Sequence, residues 1–157
     1  MGVSGCGKST VACMLAEKTG GLFLDADDFH PAENQARMAA AIPLTDEDRW
    51  PWLEALNREL KSHAADGRAV FLACSALRQV YRDRLQAGIP SLRFIYLKGP
   101  RELIRSRMQG RAGHFMPPAL LASQFAILEE PPDAITVSIE DPIPTIVEKA
   151  LASAQMG

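Results

Sequence analysis

The feature of this sequence that most limits the possible folds is an alternation of short apolar runs with longer amphipathic segments. Four runs are mainly apolar rather than alternating, and they lie at residues 22–25, 69–74, 92–97 and 135–139. Strands that are buried on both faces of a parallel sheet have this character. Between the runs, apolar residues recur at helical spacing, as Leu53, Leu56 and Leu60 do. Strands that alternate with helices favour an α/β layer fold with right-handed crossovers.

Helices are predicted in the amphipathic segments. The first covers residues 8–19, and a second, longer helix begins near Trp50. Ser75 is predicted to cap a third helix. Later helices are predicted to begin at Pro100, at Pro117 or Pro118, and near Pro144.

Two segments are predicted to be excursions from this regular pattern. One runs from about residue 31 to residue 50 on the acceptor side of a site and is irregular up to Thr45. The other, at about 109–118, has the glycine and proline boundaries of a lid. No linker divides the chain, so we predict a single domain over residues 1–157.

Composition and charge exclude several classes of protein. The chain is 47% apolar and 23% charged, with a net charge of −2, and this balance gives no general basic surface for nucleic acid. We expect neither a secretion signal nor a membrane span, because no apolar run approaches the roughly 20 residues that cross a bilayer. The three cysteines are scattered and lack metal-ligand spacing. We therefore predict a cytoplasmic protein with no nucleic-acid or membrane partner.

The chain opens with the spacing of a phosphate-binding loop. This stretch consists of Gly2, Val3, Ser4, Gly5, Cys6, Gly7, Lys8, Ser9 and Thr10. In such a loop, backbone N–H groups and the following helix N-terminus hold phosphates. Lys8 can reach the β- and γ-phosphates of a nucleotide, and the Ser9 hydroxyl can bind Mg²⁺. A glycine-rich turn that binds nothing is the alternative, but the helical pattern that follows favours a site for ATP.

Two acidic residues follow the first apolar run, in the stretch "FLDADDFHP". Asp25 ends the predicted strand and Asp27 lies two residues later, at the end of the sheet where ligands of such folds bind. We interpret Asp25 as a metal-associated acid and Asp27 as the residue that orients or deprotonates an acceptor hydroxyl. His30 is either an acceptor contact or a structural hydrogen-bonding residue. Alternatively, Asp27 or Asp28 only caps the next turn.

Arginines are concentrated in the stretch "RELIRSRMQGR" of this acidic protein. Arg107 and Arg111 flank the start of the predicted lid, where they could stabilise charge on a migrating phosphoryl group. The alternative is a solvated helix face, which is our interpretation of Arg101.

A second group of arginines lies near the predicted acceptor side. Arg49 follows "LTDED", and Arg78 and Arg82 lie four residues apart in "CSALRQVYRD". These residues either hold an anionic acceptor or pair with the acidic residues at 46–48 and with Asp83. Spacing alone leaves both interpretations open.

Seven stretches, in this order, resemble the P-loop gluconokinases, which are relatives of the shikimate and nucleoside-monophosphate kinases. They are "GVSGCGKST", "FLDADDFHP", "IPLTDEDRWPWL", "CSALRQVYRD", "FIYLKG", "GRAGHFMP" and "QFAILEEP". The resemblance implies a three-layer α/β/α P-loop kinase fold with a parallel sheet in the order 2-3-1-4-5. It also implies Mg²⁺-dependent transfer of the ATP γ-phosphate to the 6-hydroxyl of D-gluconate, by a homodimer.

The resemblance also assigns roles to particular positions. Gly2 to Thr10 match the ATP loop, and Asp25 and Asp27 match a metal-side acid followed by an acceptor-side acid. The motifs near the acceptor pocket contain Arg49, Tyr81 and Arg82, and the lid motif contains Arg107 and Arg111.

The front end departs from the family pattern. Gluconokinases have an apolar strand before the first glycine of the loop, and here only Met1 precedes it. That strand would be the middle one of the sheet, so its absence leaves a gap of two strand spacings, about 9–10 Å. We expect that the natural protein extends upstream of Met1. The alternative is a truncated, inactive nucleotide-binding relative.

Other functions remain open from the sequence. A kinase of the same fold could act on another small acceptor such as shikimate, and a nucleotide-dependent switch would need no acceptor at all. The paired acids and the lid arginines favour an enzyme over a switch.

Overall fold

The structure is a computed structural model that describes residues 1–110 and 118–155. Its strands are β1 (Leu22–Asp25), β2 (Val70–Ala73), β3 (Ile95–Lys98) and β4 (Ile135–Ser138). Its helices are α1 (Lys8–Thr19), α2 (Ala32–Ala39), α3 (Asp46–Ala65), α4 (Gln79–Gln86), α5 (Arg101–Gln109), α6 (Pro118–Ile127) and α7 (Ile143–Gln155). Helices and strands alternate along the chain, which confirms the predicted α/β class.

The strands form two separate parallel pairs. β1 pairs with β2, with Leu22 opposite Val70, and β3 pairs with β4, with Ile95 opposite Ile135. Among the described residues, no strand lies between β2 and β3. The complete order 2-3-1-4-5 therefore stays a prediction.

The first two residues bridge the two strand pairs. The Met1 amino group donates to the Ile95 carbonyl at 2.5 Å, and the Leu97 N–H donates to the Met1 carbonyl at 3.0 Å. On the other side, the Gly2 N–H donates to the Ser75 carbonyl at 3.2 Å. Met1 thus pairs with β3 as a residue of a parallel strand does.

A cavity of about 520 Å³ continues from Met1 between the two strand pairs. Apolar side chains of β2, β3 and α1 line it, among them Leu72, Leu97 and Leu15. The cavity separates the facing edges of β2 and β3.

The segment predicted to be irregular from about residue 31 to Thr45 contains helix α2, and α3 begins directly after it at Asp46. A reciprocal cap explains the early start of α3. The Thr45 N–H donates to Asp48 Oδ2 at 2.8 Å, and the Asp48 N–H donates to Thr45 Oγ1 at 3.2 Å. The predicted start near Trp50 was therefore wrong, and Pro51 lies inside the helix.

The helix after β2 begins later than predicted. Ser75 does not cap it, since α4 starts at Gln79 and Ala76 has a positive φ of 44°. The buried guanidinium of Arg82 stabilises this turn by donating to the carbonyls of Ala76 at 2.9 Å and Leu77 at 3.2 Å. A buried side chain, rather than a local cap, therefore determines where α4 begins.

Two groups of buried apolar residues hold these elements together. One joins α1 and α7 to β3 and β4, with Leu15, Val147 and Leu97 at its centre. The other joins α3 to α4 through residues such as Leu53 and Leu85. The phosphate-binding loop belongs to the first group and the acceptor-side residues are attached to the second.

Candidate active site

The phosphate-binding loop has the backbone that an anion site needs. Gly5 and Gly7 have φ values of 80° and 98°, in the left-handed region where other residues are strained. At Gly5 a Cβ would also lie 2.5 Å from the Met108 side chain, so α5 closes over the loop. No side chain caps the N-terminus of α1 among the described residues. The loop and the first turn of α1 therefore leave N–H groups available to a phosphate.

Lys8 lies at the mouth of this loop. Its ammonium group donates to the Val3 carbonyl at 3.0 Å, across the width of the loop. The amine is therefore held beside the N–H groups that would surround a phosphate, which is the position that its predicted role needs.

Ser9 and Asp25 form a pair of oxygen ligands next to the loop. The Ser9 hydroxyl donates to Asp25 Oδ2 at 2.8 Å, and the other carboxylate oxygen accepts the Asp27 N–H at 3.1 Å. Neighbouring ligands of octahedral Mg²⁺ lie about 2.9 Å apart, so the spacing of the two side-chain oxygens suits this ion. Among the described residues, no cluster of three or more His, Cys, Asp or Glu side chains could hold a metal. Magnesium usually takes its remaining ligands from phosphates and water, and this pair fits that pattern.

Asp27 lies beyond this pair with its carboxylate free of a close partner among the described side chains. Asp27 is exposed at the surface, but partial loss of water around its carboxylate, and then the negative charge of Asp25, raise its pKa. The charges of His30 and Lys8 act in the opposite direction and do not outweigh these causes. A carboxylate whose pKa is raised accepts a proton more readily, as a general base must.

His30 packs behind the acids as part of the wall of the site. Its ring is 7% exposed and stacks on Trp52, with 4.2 Å between ring centroids. The Asn34 amide approaches His30 Nδ1 at 3.4 Å, and Trp52 Nε1 donates to the Ala26 carbonyl at 2.7 Å. Burial lowers the pKa of His30, which favours a neutral ring. These contacts hold the acidic turn against α3, and acceptor contact by His30 stays a prediction.

The acceptor-side residues converge on Asp46. Its carboxylate accepts hydrogen bonds from Tyr81 Oη at 2.5 Å and from Arg78 Nη1 at 2.6 Å. Arg49 donates to Tyr81 Oη at 3.1 Å and lies 3.6 Å from Asp46. The hydrogen bond from Tyr81, followed by that from Arg78, lowers the pKa of Asp46. In this structure, therefore, Arg49 and Arg78 both pair with an acidic residue, Asp46.

Arg82 is turned away from this group. It is 2% exposed, and besides the two carbonyls of the turn before α4 it donates to Gln79 Oε1 at 2.8 Å. Burial lowers the pKa of Arg82. In this structure Arg82 supports the turn that carries Arg78, and its predicted contact with substrate is untested.

Of the two predicted lid arginines, only Arg107 lies within the described residues. Arg107 is half-buried in α5 and donates to the Ile139 carbonyl at 2.6 Å. Arg111 lies outside the described residues, as does most of the predicted lid. A catalytic role for the pair stays a prediction.

The structure thus brings Lys8, Ser9, Asp25 and Asp27 together at the carboxyl end of β1. Spacing did not single out Asp46 and Asn34 as site residues. The Thr45-x-x-Asp48 pattern could have indicated that Asp46 opens a helix, but its partners on α4 are 32 or more positions away.

Comparison with known sequences identifies relatives over nearly the whole chain. A family model described as an AAA domain matches residues 1–131. The thermosensitive gluconokinase of Escherichia coli (strain K12) is 45% identical over 153 residues, which is 95% of this chain and 82% of that protein. A probable gluconokinase of Rattus norvegicus is 44% identical and matches 96% of this chain and 93% of its own length.

Solved structures share the fold. A gluconokinase from Sinorhizobium meliloti 1021 superposes with a TM-score of 0.91 at 42% identity, over 99% of this chain and 89% of that one. The shikimate kinase of Aquifex aeolicus vf5 superposes with a TM-score of 0.55 at 15% identity, over 99% of this chain and 94% of that one, which is a likeness of fold alone. The chain therefore belongs to the gluconokinase family and has the P-loop kinase fold that its sequence motifs imply.

Proposed function

We propose that this protein transfers the γ-phosphoryl group of ATP to the 6-hydroxyl of D-gluconate, which gives 6-phospho-D-gluconate and ADP. The placement of Asp27 carries most weight: an acid with a raised pKa lies directly beyond the Ser9–Asp25 pair at the mouth of the phosphate loop. The gluconokinase relatives support the choice of acceptor.

Each part of the loop region has a role in this reaction. Lys8 and the N-terminus of α1 bind the β- and γ-phosphates and stabilise the charge of the migrating group. Ser9 and Asp25 would hold Mg²⁺, which when bound neutralises phosphate charge. Asp27 orients the acceptor hydroxyl and takes its proton as the new O–P bond forms. Arg107 and Arg111 are proposed to stabilise the same phosphoryl group.

The acceptor end of the site contains the cations that a sugar acid requires. Arg49 and Tyr81 bond to each other beside Asp46, and we assign them to the polar groups of gluconate. His30 belongs to the wall of the same region, and we propose that it contacts the acceptor. For Arg82, which supports the turn before α4 in this structure, the proposed contact with the acceptor rests on the family resemblance. The second candidate, a kinase for another small anionic acceptor such as shikimate, would use the same cations.

We expect D-gluconate to be phosphorylated with a kcat/KM at least about 100-fold above that of glucose. A neutral sugar brings no carboxylate to the arginines beside Asp46, and the loss of a hydrogen bond to a charged group has about this effect. ADP release with ATP and Mg²⁺ measures it, across gluconate, glucose, shikimate and nucleoside monophosphates.

Omission of Mg²⁺ is the control for metal-dependent transfer. Equal turnover of glucose and gluconate would contradict the acceptor assignment, and a preference for shikimate would favour the second candidate.

We expect kcat/KM for gluconate to fall on acidification through a pKa above the usual aspartate value of about 4. Asp27 must be ionised to accept a proton, and loss of solvent and the charge of Asp25 raise its pKa. A pH profile of kcat/KM locates this limb. A profile that stays flat down to the usual aspartate pKa of about 4 would contradict the role of Asp27 as a base.

Two further proposals concern the cellular setting and the assembly. None of the helices in residues 1–110 and 118–155 is long and apolar enough to cross a membrane. A homodimer and a cytoplasmic location are proposed from the family resemblance, and size-exclusion chromatography with light scattering would test the dimer.

A further inference from the structure

Helix α6 contacts the phosphate-binding loop through one polar side chain, Gln124. The Ser4 N–H donates to Gln124 Oε1 at 2.7 Å, and Gln124 Nε2 donates to Ser4 Oγ at 3.1 Å. Both ends of the amide thus bond to one residue that is 120 positions away in the chain. Gln124 lies in the motif "QFAILEEP", to which the proposed reaction gives no role.

The packing of α6 makes this contact rigid. Leu121, one helical turn before Gln124, is 3% exposed and belongs to the same buried group as Val3 and Cys6 of the loop. Phe125 packs partly buried against that group as well. The apolar face of α6 therefore packs against the phosphate-binding loop, and the same helix brings the Gln124 amide to Ser4.

Ser4 is the loop residue for which such support matters. It is followed by Gly5, whose φ of 80° is in the left-handed region, and it lies two residues after Gly2, at 145°. Glycine populates many backbone conformations, so Gly2 and Gly5 do not by themselves fix the conformation of the segment between them. If no contact from outside held the loop in place, the loop would have to become ordered when the nucleotide binds. The free-energy cost of that ordering would lower the affinity for nucleotide.

We propose that Gln124 is a positioning residue that holds the phosphate loop in its nucleotide-binding shape through Ser4. In this role Gln124 acts through Ser4, to which both ends of its amide bond. It fixes the Ser4 peptide, so that the N–H groups after Gly5 remain directed at the phosphates. This role rests on the proposed ATP site.

The same helix leads to the acceptor side. Directly after α6, the Glu129 N–H donates to the Leu77 carbonyl at 2.9 Å, and Glu129 Oε2 accepts the Gln79 N–H at 2.5 Å. The Glu129 carboxylate also lies 3.7 Å from Arg78 Nε, whereas Asp46 bonds to Nη1 of the same guanidinium. These contacts fix the end of α6 independently of Gln124, so a change at Gln124 should leave the acceptor side undisturbed.

The test is a Gln124→Met variant, which keeps side-chain length and removes both hydrogen bonds. We expect the Kd for Mg·ATP, measured by titration calorimetry without gluconate, to rise about 10- to 30-fold, the ordinary effect of two hydrogen bonds. KM for gluconate at saturating ATP should change little, and the melting temperature should fall by about 4–8 °C, because two hydrogen bonds of about 1 kcal/mol each are also lost from the folded protein. Ser4→Ala should give a smaller increase, because the backbone N–H still donates to Gln124, and the two changes combined should have less than the product of their separate effects.

Ser123→Ala is the matched control, since Ser123 is exposed on the same helix and bonds only to the Leu120 carbonyl of its own turn among the described residues. It should leave the Kd unchanged. If the unaltered protein fails to bind Mg·ATP, the proposed function fails. If the unaltered protein binds and Gln124→Met binds equally well, or if it loses ATP and gluconate affinity together with its melting temperature, the positioning role is overturned.

Discussion

Replacement of Asp27 by Asn lowers kcat for gluconate phosphorylation by about 10²–10⁴-fold, the usual contribution of a positioned general base. Asn has nearly the same shape and can still orient a hydroxyl, but it cannot take the proton. The backbone N–H of residue 27, which bonds to Asp25, is unaffected by the change, so the Ser9–Asp25 pair should persist. The Kd for Mg·ATP should therefore stay within about twofold of the original. Steady-state kinetics and calorimetry measure the two quantities.

Asp28→Asn is the control for this experiment. Asp28 follows Asp27 in the same turn and is exposed as well. Its replacement by Asn removes the same charge without touching the proposed base. It should retain most of the activity. If Asp27→Asn instead abolishes ATP binding and leaves kcat at saturating ATP intact, Asp27 belongs to the metal site and its role as a base is wrong.

Joining a short apolar strand to Met1 is the change with the largest expected effect on stability. We expect a segment of about five residues such as Val-Ile-Val-Val-Val to raise the melting temperature by about 10 °C or more. The cavity of about 520 Å³ between β2 and β3 is lined by apolar side chains, and each Val or Ile buried there stabilises by about 1.5–3 kcal/mol before ordering costs. In a chain of this size, about 1 kcal/mol shifts the melting temperature by about 2–4 °C.

The Met1 amino group gives this prediction a second, independent readout. Burial lowers its pKa from 8.0 to about 6, because the charged form loses water beside the β3 edge. Between those two pH values the unfolded chain binds more protons than the folded one, so stability should rise as the pH rises from about 6 to 8. A peptide bond at Met1 removes the amine from this position and should remove this pH dependence.

A Gly-Ser segment of equal length is the control for the added strand. It also converts the amine to an amide, but it brings no apolar side chains to the cavity. Thermal unfolding from pH 6 to pH 8 compares the three proteins. An equal melting temperature for the apolar and the Gly-Ser extensions would show that the cavity does not accept a strand.

The sequence by itself determined the features that depend on residues close together along the chain. The α/β class followed from apolar runs a few residues long, and α1 was predicted at 8–19, where the structure has it. The family followed from an ordered set of short motifs. Asp25 and Asp27 were expected together because they adjoin one strand end, and Ser9 begins the helix that packs beside it.

Only the tertiary structure decided which side chains meet across large sequence separations. Asp46 bonds to residues 32 and 35 positions later, and Gln124 bonds to Ser4 across 120 positions. Local spacing carries no information on such pairs, because they depend on how helices dock. For the same reason, spacing could not tell whether Arg82 binds an anionic acceptor or a group within the protein. In the structure Arg82 is only 2% exposed, and it bonds to the carbonyls of Ala76 and Leu77. Local patterns limit the elements, while packing decides which polar groups lose water and must find partners in one another.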